Sequence, residues 1–279
     1  MKQKIDLHPN IDSISYIGPD GEHGVIGKSQ GRYRLASITK LLTTYVVADA
    51  VVGGFVGFED LVASPQLKSP DVTLQDLLSH SSGIRPDELQ SIDRHKKRIY
   101  TNEAFDLAGE FLISKLGKDF KETTIGNLFE DGLNSFLGAS FNFEGTCSAS
   151  ATGTLEDLIL LMNEMRNPTY LDFQTHKFLT TPFLPELEGI LPGWGNFKRN
   201  TFGVGFEIRG NKQPHWTGSV SSPETFGHFG QSGAFIFHDP IKNVSACCLT
   251  NQDFSGWAKE EFPKLSNLIY EVCGLSQIK

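Results

Sequence analysis

Two residues with complementary chemistry, Ser37 and Lys40, stand three positions apart at the start of an apolar stretch, residues 41–52. If this stretch is helical, their side chains lie one turn apart on the same face. A serine hydroxyl becomes a nucleophile when a base lies within hydrogen-bond reach, and a buried, neutral lysine can be that base. The neighbours Leu41 and Leu42 favour burial of the lysine. The pair therefore predicts covalent catalysis by Ser37.

Two further segments carry groups that can transfer protons. Tyr100-Thr101-Asn102 is the only Y-x-N sequence in the chain, and His228-Phe229-Gly230 is the only H-x-G sequence. A phenol and an imidazole brought to the serine and lysine would complete a proton-transfer site. We therefore expect the fold to bring both segments to the lysine.

Two other serine motifs are weaker candidates. Ser276–Lys279 also fits S-x-x-K, but it lies at the extreme C-terminus, where no catalytic role is expected. Gly27–Gly31 fits G-x-S-x-G, which would make Ser29 a nucleophile. That motif requires several preceding parallel strands and a helix directly after it. Only one predicted hairpin precedes this segment, so we reject it as the catalytic site.

The order S-x-x-K, Y-x-N, H-x-G resembles the class C β-lactamase and esterase branch of the penicillin-recognising serine hydrolases. The flanking segments extend the resemblance. Thr73–Ile84 is similar to the family's T-x-x-D-L-L-T-H-T-S-G-L segment, Gly227–Gly233 to its third-motif strand, and Ser148–Leu158 to a segment that enters a late helix. The similarity runs from about Asp12 to Asn251. It implies a serine β-lactamase-like or penicillin-binding-protein-like hydrolase.

The resemblance also implies roles for the second motif. Tyr100 is expected to carry the proton between Ser37, the leaving group and later the hydrolytic water. Asn102 is expected to hold Lys40 and the carbonyl of the substrate by hydrogen bonds. Lys40 and Tyr100 together would serve as the base.

The third motif departs from the β-lactamase pattern. His228 stands where lysine is usual, and Phe229 replaces a hydroxyl that binds the carboxylate of a β-lactam. An imidazole can still donate to the phenol or the substrate, but it carries little positive charge at neutral pH. Gly230 is expected to let the substrate lie against the strand edge. By analogy, the backbone N–H groups of Ser37 and Gln231 form the oxyanion hole.

The expected activity is hydrolysis through an acyl-enzyme on Ser37, on a small ester, lactone or amide. The weak third motif favours an esterase over a β-lactamase or a D-amino-acid peptidase, which remain alternatives. A non-catalytic scaffold of the same fold is an alternative of another class. Intact Ser37, Lys40, Tyr100 and Asn102 argue against it.

Composition narrows the possible partners to a small-molecule substrate. The net charge of −8 argues against nucleic acid or an anionic membrane as a partner. Eight histidines and four cysteines show neither H-E-x-x-H nor C-x-x-C spacing, so no metal or cofactor is expected and the thiols should be free and mostly buried. The N-terminus has basic residues but no apolar run, which predicts a cytoplasmic protein rather than a secreted one.

The elements that must position these residues form an α/β (α+β) chain. Strands are expected at both ends, at residues 12–17, 24–28, 202–208, 227–238 and 244–250, and helices at residues 37–53, 74–78, 104–116, 125–137, 157–165 and 259–272. This order predicts a β-lactamase/transpeptidase-like fold, in which an antiparallel sheet is flanked by N- and C-terminal helices and an all-helical lobe is inserted. We expect one domain, residues 1–279, with a sheet lobe (1–54 and 146–279) and a helical lobe (55–145).

Two polar segments near the second motif are interpreted as structural. Lys96-Lys97-Arg98 is expected to be a solvated, charged face close to Tyr100. His80, in the segment after residue 73, is expected to be a loop residue rather than a catalyst.

Overall fold

A computed structural model describes residues 7–28, 31–86, 89–116 and 124–275. Its strands are β1 Ser13–Ile17, β2 His23–Gly27, β3 Tyr33–Arg34, β4 Arg98–Ile99, β5 Asn142–Phe143, β6 Ala151–Gly153, β7 Gly189–Leu191, β8 Gly195–Phe197, β9 Glu207–Ile208, β10 Phe226–Phe229, β11 Phe235–Asp239 and β12 Val244–Leu249. Its helices are α1 Thr39–Val52, α2 Leu74–Leu78, α3 Asn102–Leu116, α4 Ile125–Leu128, α5 Ser135–Leu137, α6 Leu155–Arg166, α7 Phe173–Thr180 and α8 Gly256–Val272, with a π-helical segment, Phe129–Asn134, joining α4 to α5.

The central element is a six-stranded antiparallel sheet in the order β2-β1-β12-β11-β10-β9. The first strand pairs with the last, with Ser13 opposite Leu249. The two ends of the chain therefore meet in the middle of the sheet. This confirms the predicted mixed α/β fold with an antiparallel sheet built from both termini.

Helices cover both faces of this sheet because alternate residues of β12 point to opposite sides. Cys247 and Leu249 join the apolar cluster that contains α1, α3 and α6. Ala246 and Cys248 join the cluster beneath α8. One flanking helix is C-terminal, as expected. The other, α6, comes from the middle of the chain, and residues 7–12, which precede β1, contain no helix.

The segment predicted to be one strand over residues 227–238 is a hairpin, so that prediction was wrong. β10 ends at Phe229, the chain turns, and β11 begins at Phe235. Gly230 N–H donates to Ala234 O at 2.8 Å, and Gly233 has a φ of +79°, which favours glycine. The tight turn places the third motif at the end of a strand, beside the start of α1.

The inserted segment, residues 55–145, is not all-helical as predicted, because it contains β4 and β5. β4 pairs in parallel with β7, and β5 pairs with β6. Both partners lie outside the segment, which is why two-residue strands could not be recognised from local sequence. β4 leads directly into Tyr100, so this pairing positions the second motif.

Candidate active site

Ser37 lies in a tight 3-10 turn, Ala36–Ile38, that runs into α1. Ala36 has a φ of +46°, a conformation that costs free energy for a residue with a side chain and that often occurs at functional sites. Thr39 stabilises the turn, because its Oγ1 donates to Ala36 O at 2.6 Å and accepts from Ala151 N at 3.0 Å. The Ser37 side chain is held half-buried, with Oγ 3.3 Å from Nζ of Lys40.

Lys40 is fully buried, and its ammonium nitrogen has three polar neighbours. Nζ donates to Oδ1 of Asn102 at 2.7 Å and to the carbonyl oxygen of Ser148 at 3.0 Å. These two acceptors use two hydrogens, so in the neutral amine the lone pair is left for Ser37. Burial lowers the pKa of Lys40 from 10.5 to about 7, although Asp106 raises it. A large fraction of Lys40 is therefore a free base at neutral pH.

Asp106 orients the carbonyl group that Lys40 contacts. Its carboxylate accepts from Ser148 N at 3.0 Å and from Ser148 Oγ at 3.2 Å. Asp106 follows Asn102 by four residues on α3, so both face the lysine. Sequence reasoning missed Asp106 and Ser148 as members of the site, although this four-residue spacing was a usable signal for Asp106.

Tyr100 covers the other side of Lys40, with Nζ 4.9 Å from the centre of its ring. Burial raises the pKa of Tyr100, and the neighbouring Ser37 side chain only partly opposes this. The phenol is therefore protonated at neutral pH. Of the two residues expected to share the role of base, Lys40 has a pKa lowered to about 7, whereas the raised pKa of Tyr100 keeps its proton in place as a hydrogen-bond donor.

His228 lies beside Tyr100, with ring centres 5.7 Å apart. Its Nδ1 is 2.7 Å from the carbonyl oxygen of Phe229, which can only accept, so Nδ1 carries the hydrogen. Burial and the charge of Lys40 lower the pKa of His228 to about 4. The ring is neutral, and Nε2 is a buried acceptor without a partner among the described residues. In this tautomer Nε2 faces the site as an acceptor, so the phenol or the substrate would be the donor to His228.

The Phe229 side chain packs into an apolar cluster and is not directed at the candidate catalytic groups. It is largely buried, and its ring packs on Trp216 at 5.8 Å and on Phe254 at 5.1 Å between ring centres. Neither His228 nor Phe229 offers a cation or a hydroxyl donor here. The third motif is therefore poorly suited to bind a carboxylate.

Gly230 brings the third motif against the turn of the nucleophile. A Cβ at this position would lie 2.4 Å from Leu35 O and 3.2 Å from Ala36 Cβ, so only glycine fits. The next residue, Gln231, is exposed, and its side-chain Nε2 donates to Phe254 O at 3.0 Å. In the described part of the chain, no carbonyl accepts from the backbone N–H of Ser37 or of Gln231. Both N–H groups are therefore left without a backbone acceptor there.

Arg98 corrects the interpretation of residues 96–98 as a solvated face. Lys96 and Lys97 are exposed, but Arg98 is 1% exposed. Its guanidinium donates to four backbone carbonyls, at Ser79 (2.6 Å), Phe183 (2.5 Å), Leu184 (2.8 Å) and Asn200 (3.1 Å). These bonds join three distant segments two residues before Tyr100. A charged trio at a loop gives no local signal of burial, so sequence reasoning missed it.

His80 packs under the second motif, as a structural residue does. Its ring centre lies 4.5 Å from that of Tyr100 and 5.2 Å from that of Phe105. Its carbonyl accepts from Ile99 N, and its Nδ1 accepts from Thr101 N at 3.4 Å. Burial holds the pKa of His80 well below its usual value, so the ring is neutral. The His80 ring therefore packs against the Tyr100 ring and supports it.

The two rejected serine motifs, Ser29 and Ser276–Lys279, lie outside the described residues. Within the described residues, no group of three His, Cys, Asp or Glu side chains is arranged to hold a metal ion. The helices in that part of the chain are all too short or too polar to cross a membrane.

The match to a known family extends over most of the sequence. Residues 16–265 match the family described as Beta-lactamase. The chain belongs to the β-lactamase family. A solved β-lactamase from Mycobacterium bovis shares 32% identity, covers 94% of each chain and superimposes with a TM-score of 0.85. The resemblance inferred from the three motifs is thereby confirmed at the level of the family.

Two further similarities are to proteins with other activities in their names. The structure of EstCE1, described as a hydrolase with promiscuous acyltransferase activity, has a TM-score of 0.70 at 15% identity, and the match covers 92% of this chain and 93% of that one. A putative D-alanyl-D-alanine carboxypeptidase of Escherichia coli is 36% identical over 56 residues, which are 20% of this chain and 13% of that protein. The first similarity shows a shared fold, and the second spans only a small part of the curated relative.

Proposed function

We propose that this protein is a serine hydrolase that forms an acyl-enzyme on Ser37 and releases it to water. The observation that carries the proposal is the environment of Lys40. It is fully buried, two of its hydrogens are used by neutral oxygens, its third direction faces Ser37 Oγ at 3.3 Å, and its pKa is lowered to about 7. A lysine held in this way is a base within reach of a nucleophile.

The proposed acylation step uses the neighbours of this pair. Lys40 takes the proton of Ser37 as Oγ attacks the substrate carbonyl, and the oxyanion accepts from the N–H groups of Ser37 and Gln231. Tyr100 gives its proton to the leaving oxygen as the bond breaks, and the proton held by Lys40 then restores the phenol. Deacylation runs these steps in reverse, with water in place of the alcohol. Water gives its proton to Lys40 by way of Tyr100 as it attacks the acyl carbon, and Lys40 returns a proton to Ser37 Oγ as the acyl–oxygen bond breaks.

The third motif favours an ester, a lactone or a small amide over a β-lactam as substrate. A β-lactam binds partly through its carboxylate, and each hydrogen bond to such a charged group contributes about 1.5–3 kcal/mol. His228 is neutral, with a pKa lowered to about 4, and the Phe229 ring packs on Trp216 and Phe254. The same argument disfavours a D-amino-acid peptidase, whose substrate ends in a carboxylate.

A non-catalytic scaffold is the alternative of another class, and the buried polar groups argue against it. Burying an amine with a pKa near 7 beside a half-exposed serine costs free energy. A positive φ at Ala36 adds backbone strain at the same place. A scaffold would be more stable without either feature.

We propose a small-molecule substrate and a cytoplasmic location as part of this function. All four cysteines are free, and three of them, Cys147, Cys247 and Cys248, are buried. Free thiols are usual in a reducing compartment, whereas secreted proteins tend to pair them. The net charge of −8 disfavours nucleic acid as the ligand.

The test combines labelling of Ser37 with a comparison of substrates. A fluorophosphonate should label the wild type and a Ser29→Ala control but not Ser37→Ala, which should also lose on the order of 10⁶-fold in kcat for p-nitrophenyl acetate. The wild-type kcat/KM should be larger by orders of magnitude for p-nitrophenyl acetate than for nitrocefin. The double change His228→Lys with Phe229→Thr should reduce the ratio of these two kcat/KM values.

Two results would contradict the proposal. If Ser37→Ala keeps most of its activity, Ser37 is not the nucleophile. If the wild type hydrolyses nitrocefin as fast as p-nitrophenyl acetate, the argument from the third motif is wrong, and a β-lactamase becomes the better assignment.

A further inference from the structure

A cavity of about 560 Å³ opens beside Tyr100. It is lined by β4, by the hairpin of β7 and β8 that pairs with β4, and by the segment that contains Pro86, Leu89 and Ile92, and Tyr100, which directly follows β4, forms part of its wall. β4 and β7 are tied closely together, since a Cβ at Gly189 on β7 would lie 2.1 Å from Arg98 O on β4. The volume falls within the range of about 300–1,000 Å³ that is usual for small-molecule sites.

The walls of this cavity are mainly apolar, with Ile92, Ile99, Ile190 and Pro192 among the lining residues. Ile190 is 62% exposed, which is unusual for a large apolar side chain on a strand. Apolar surface gathered at the mouth of a cavity is typical of a ligand site.

The charges along this cavity are largely occupied by other partners. The Arg98 guanidinium donates to four backbone carbonyls. Lys97 forms an ion pair with Glu188, with Nζ 2.9 Å from Oε1. Arg85 lies exposed at the rim. An apolar group therefore fits the cavity better than an anion does.

A second, smaller cavity borders Gln231. It has a volume of about 240 Å³, is lined by Gln231, Phe229 and Phe254 and shares Pro192 with the larger cavity. Gln231 carries one of the two N–H groups proposed for the oxyanion hole. The volume of this cavity is less than half that of the cavity beside Tyr100.

We propose that the larger cavity binds the alcohol portion of the substrate, so that the enzyme prefers esters of a small acid with a medium-length apolar alcohol. This inference rests on the proposed function. A residue that protonates the leaving oxygen must lie within hydrogen-bond reach of it. The substituent on that oxygen therefore continues past Tyr100, into the cavity that Tyr100 lines. The acyl group remains near Gln231, where the cavity of about 240 Å³ lies.

A neighbouring cavity of about 720 Å³ is a weaker candidate for the alcohol. It shares Arg85 and Leu89 with the apolar cavity, but its lining includes the polar side chains of Gln66, Lys68 and Glu103. Neither Ser37 nor Tyr100 lines it. A leaving group held by Tyr100 would reach the apolar cavity first.

Two series of esters test this assignment, with kcat/KM measured by pH-stat. One series holds acetate constant and lengthens the alcohol from ethyl through butyl to hexyl. The other holds the ethyl group constant and lengthens the acid in the same way. Burial of each methylene contributes a factor of up to about four, so the alcohol series should rise steeply. The acid series should stay flat or fall.

A matched pair of variants locates the effect. Ile190 and Ile241 are similarly exposed, at 62% and 67%, but only Ile190 lines the cavity. Ile190→Asp should reduce the ratio of kcat/KM for hexyl acetate to that for ethyl acetate by at least about tenfold, since an apolar contact becomes a charged one. Ile241→Asp should leave this ratio unchanged. Because the ratio compares two substrates on one sample, partial unfolding of a variant cancels.

Four outcomes would overturn the assignment while Ser37 is still labelled and esters are still hydrolysed. They are a flat alcohol series, a steeper acid series, a wild-type ratio in Ile190→Asp, and a preference for an alcohol with a terminal carboxylate, which would point to Arg85 instead of the apolar wall. Failure of Ser37 labelling together with absence of ester hydrolysis would reject the proposed function itself, and this inference with it.

Discussion

Two lysines, Lys40 and Lys212, are equally buried in this protein but stand in opposite electrostatic environments. Among the described residues, the hydrogen-bond partners of the Lys40 amine are neutral oxygens, those of Ser37, Asn102 and Ser148. The Lys212 ammonium forms a buried ion pair with Glu207 and donates to two backbone carbonyls. Burial lowers the pKa of both lysines, but for Lys212 the contact with Glu207 opposes the shift.

The environment of Glu207 shows why this second pair is structural. Burial alone would raise the pKa of Glu207, but His215 and Lys212 outweigh it and lower the pKa to about 2. Trp216 also donates to its carboxylate at 2.9 Å. The charge is fully paired, so the group has no acid–base role near neutral pH. A carboxylate in direct contact thus separates a structural lysine from one that can act as a base.

The largest expected effect comes from replacing Lys40, the proposed base. Lys40→Met should reduce kcat/KM for p-nitrophenyl acetate by about 10²–10⁴-fold, the usual contribution of a general base. Its free energy of unfolding should change by less than about 2 kcal/mol, because methionine has a similar size and no opposite charge is left unpaired. Kinetics and urea unfolding on the same sample measure both. Normal acylation without Lys40 would contradict the lysine-base mechanism.

The second prediction concerns the structural member. Lys212→Met should lower the free energy of unfolding by about 3–5 kcal/mol, because it leaves the charge of Glu207 buried without one of the two partners that stabilise it. The double variant Lys212→Met with Glu207→Gln should recover part of this loss in urea unfolding. The pH profile of kcat/KM should match the wild type in both. If Lys212→Met proves less destabilising than Lys40→Met, the two roles have been assigned the wrong way round.

The smallest effect is a shift in the pH dependence, which tests the environment of Lys40 directly. The base must be deprotonated, so kcat/KM should rise with pH through a pKa of about 7. Asn102→Asp places a carboxylate where Oδ1 now lies 2.7 Å from Nζ, and should move this rise to higher pH by about one to three units.

Asp106→Asn serves as the opposing variant for this test. It removes a charge that raises the pKa of Lys40, so the rise should move to lower pH. A pH-stat profile of ester hydrolysis distinguishes the two directions. If the pH profiles of both variants coincide with that of the wild type, the rise in kcat/KM with pH does not report the protonation of Lys40.

Local sequence predicted the elements whose signals lie within a few residues. The hairpin before residue 28 was recognised from strand alternation around a turn, and Leu74–Leu78 from its helical pattern. The 227–238 segment was misjudged because a five-residue turn interrupts an apolar run. The strand pair β4 and β7 was missed, since its members are some ninety residues apart and too short to show a pattern.

The candidate site also has features that the local sequence predicted and features that it could not predict. Residue types and spacing were enough to nominate Ser37 with Lys40, and the two later motifs with Tyr100 and His228, because helix geometry and motif order are properties of the chain alone. Protonation was not accessible to this reasoning. It depends on burial and on which oxygens surround a nitrogen, and these come from distant segments.

The sequence by itself predicted the family and the mixed α/β fold, both of which are confirmed, and it nominated Ser37 and Lys40 as nucleophile and base. Only the tertiary structure shows that burial lowers the pKa of Lys40 to about 7, that Nδ1 of His228 faces a carbonyl oxygen, and that Arg98 is buried two residues before Tyr100. The physical reason is that a pKa and a tautomer are set by desolvation and by hydrogen-bond partners. Those arise only when segments far apart in the chain pack together.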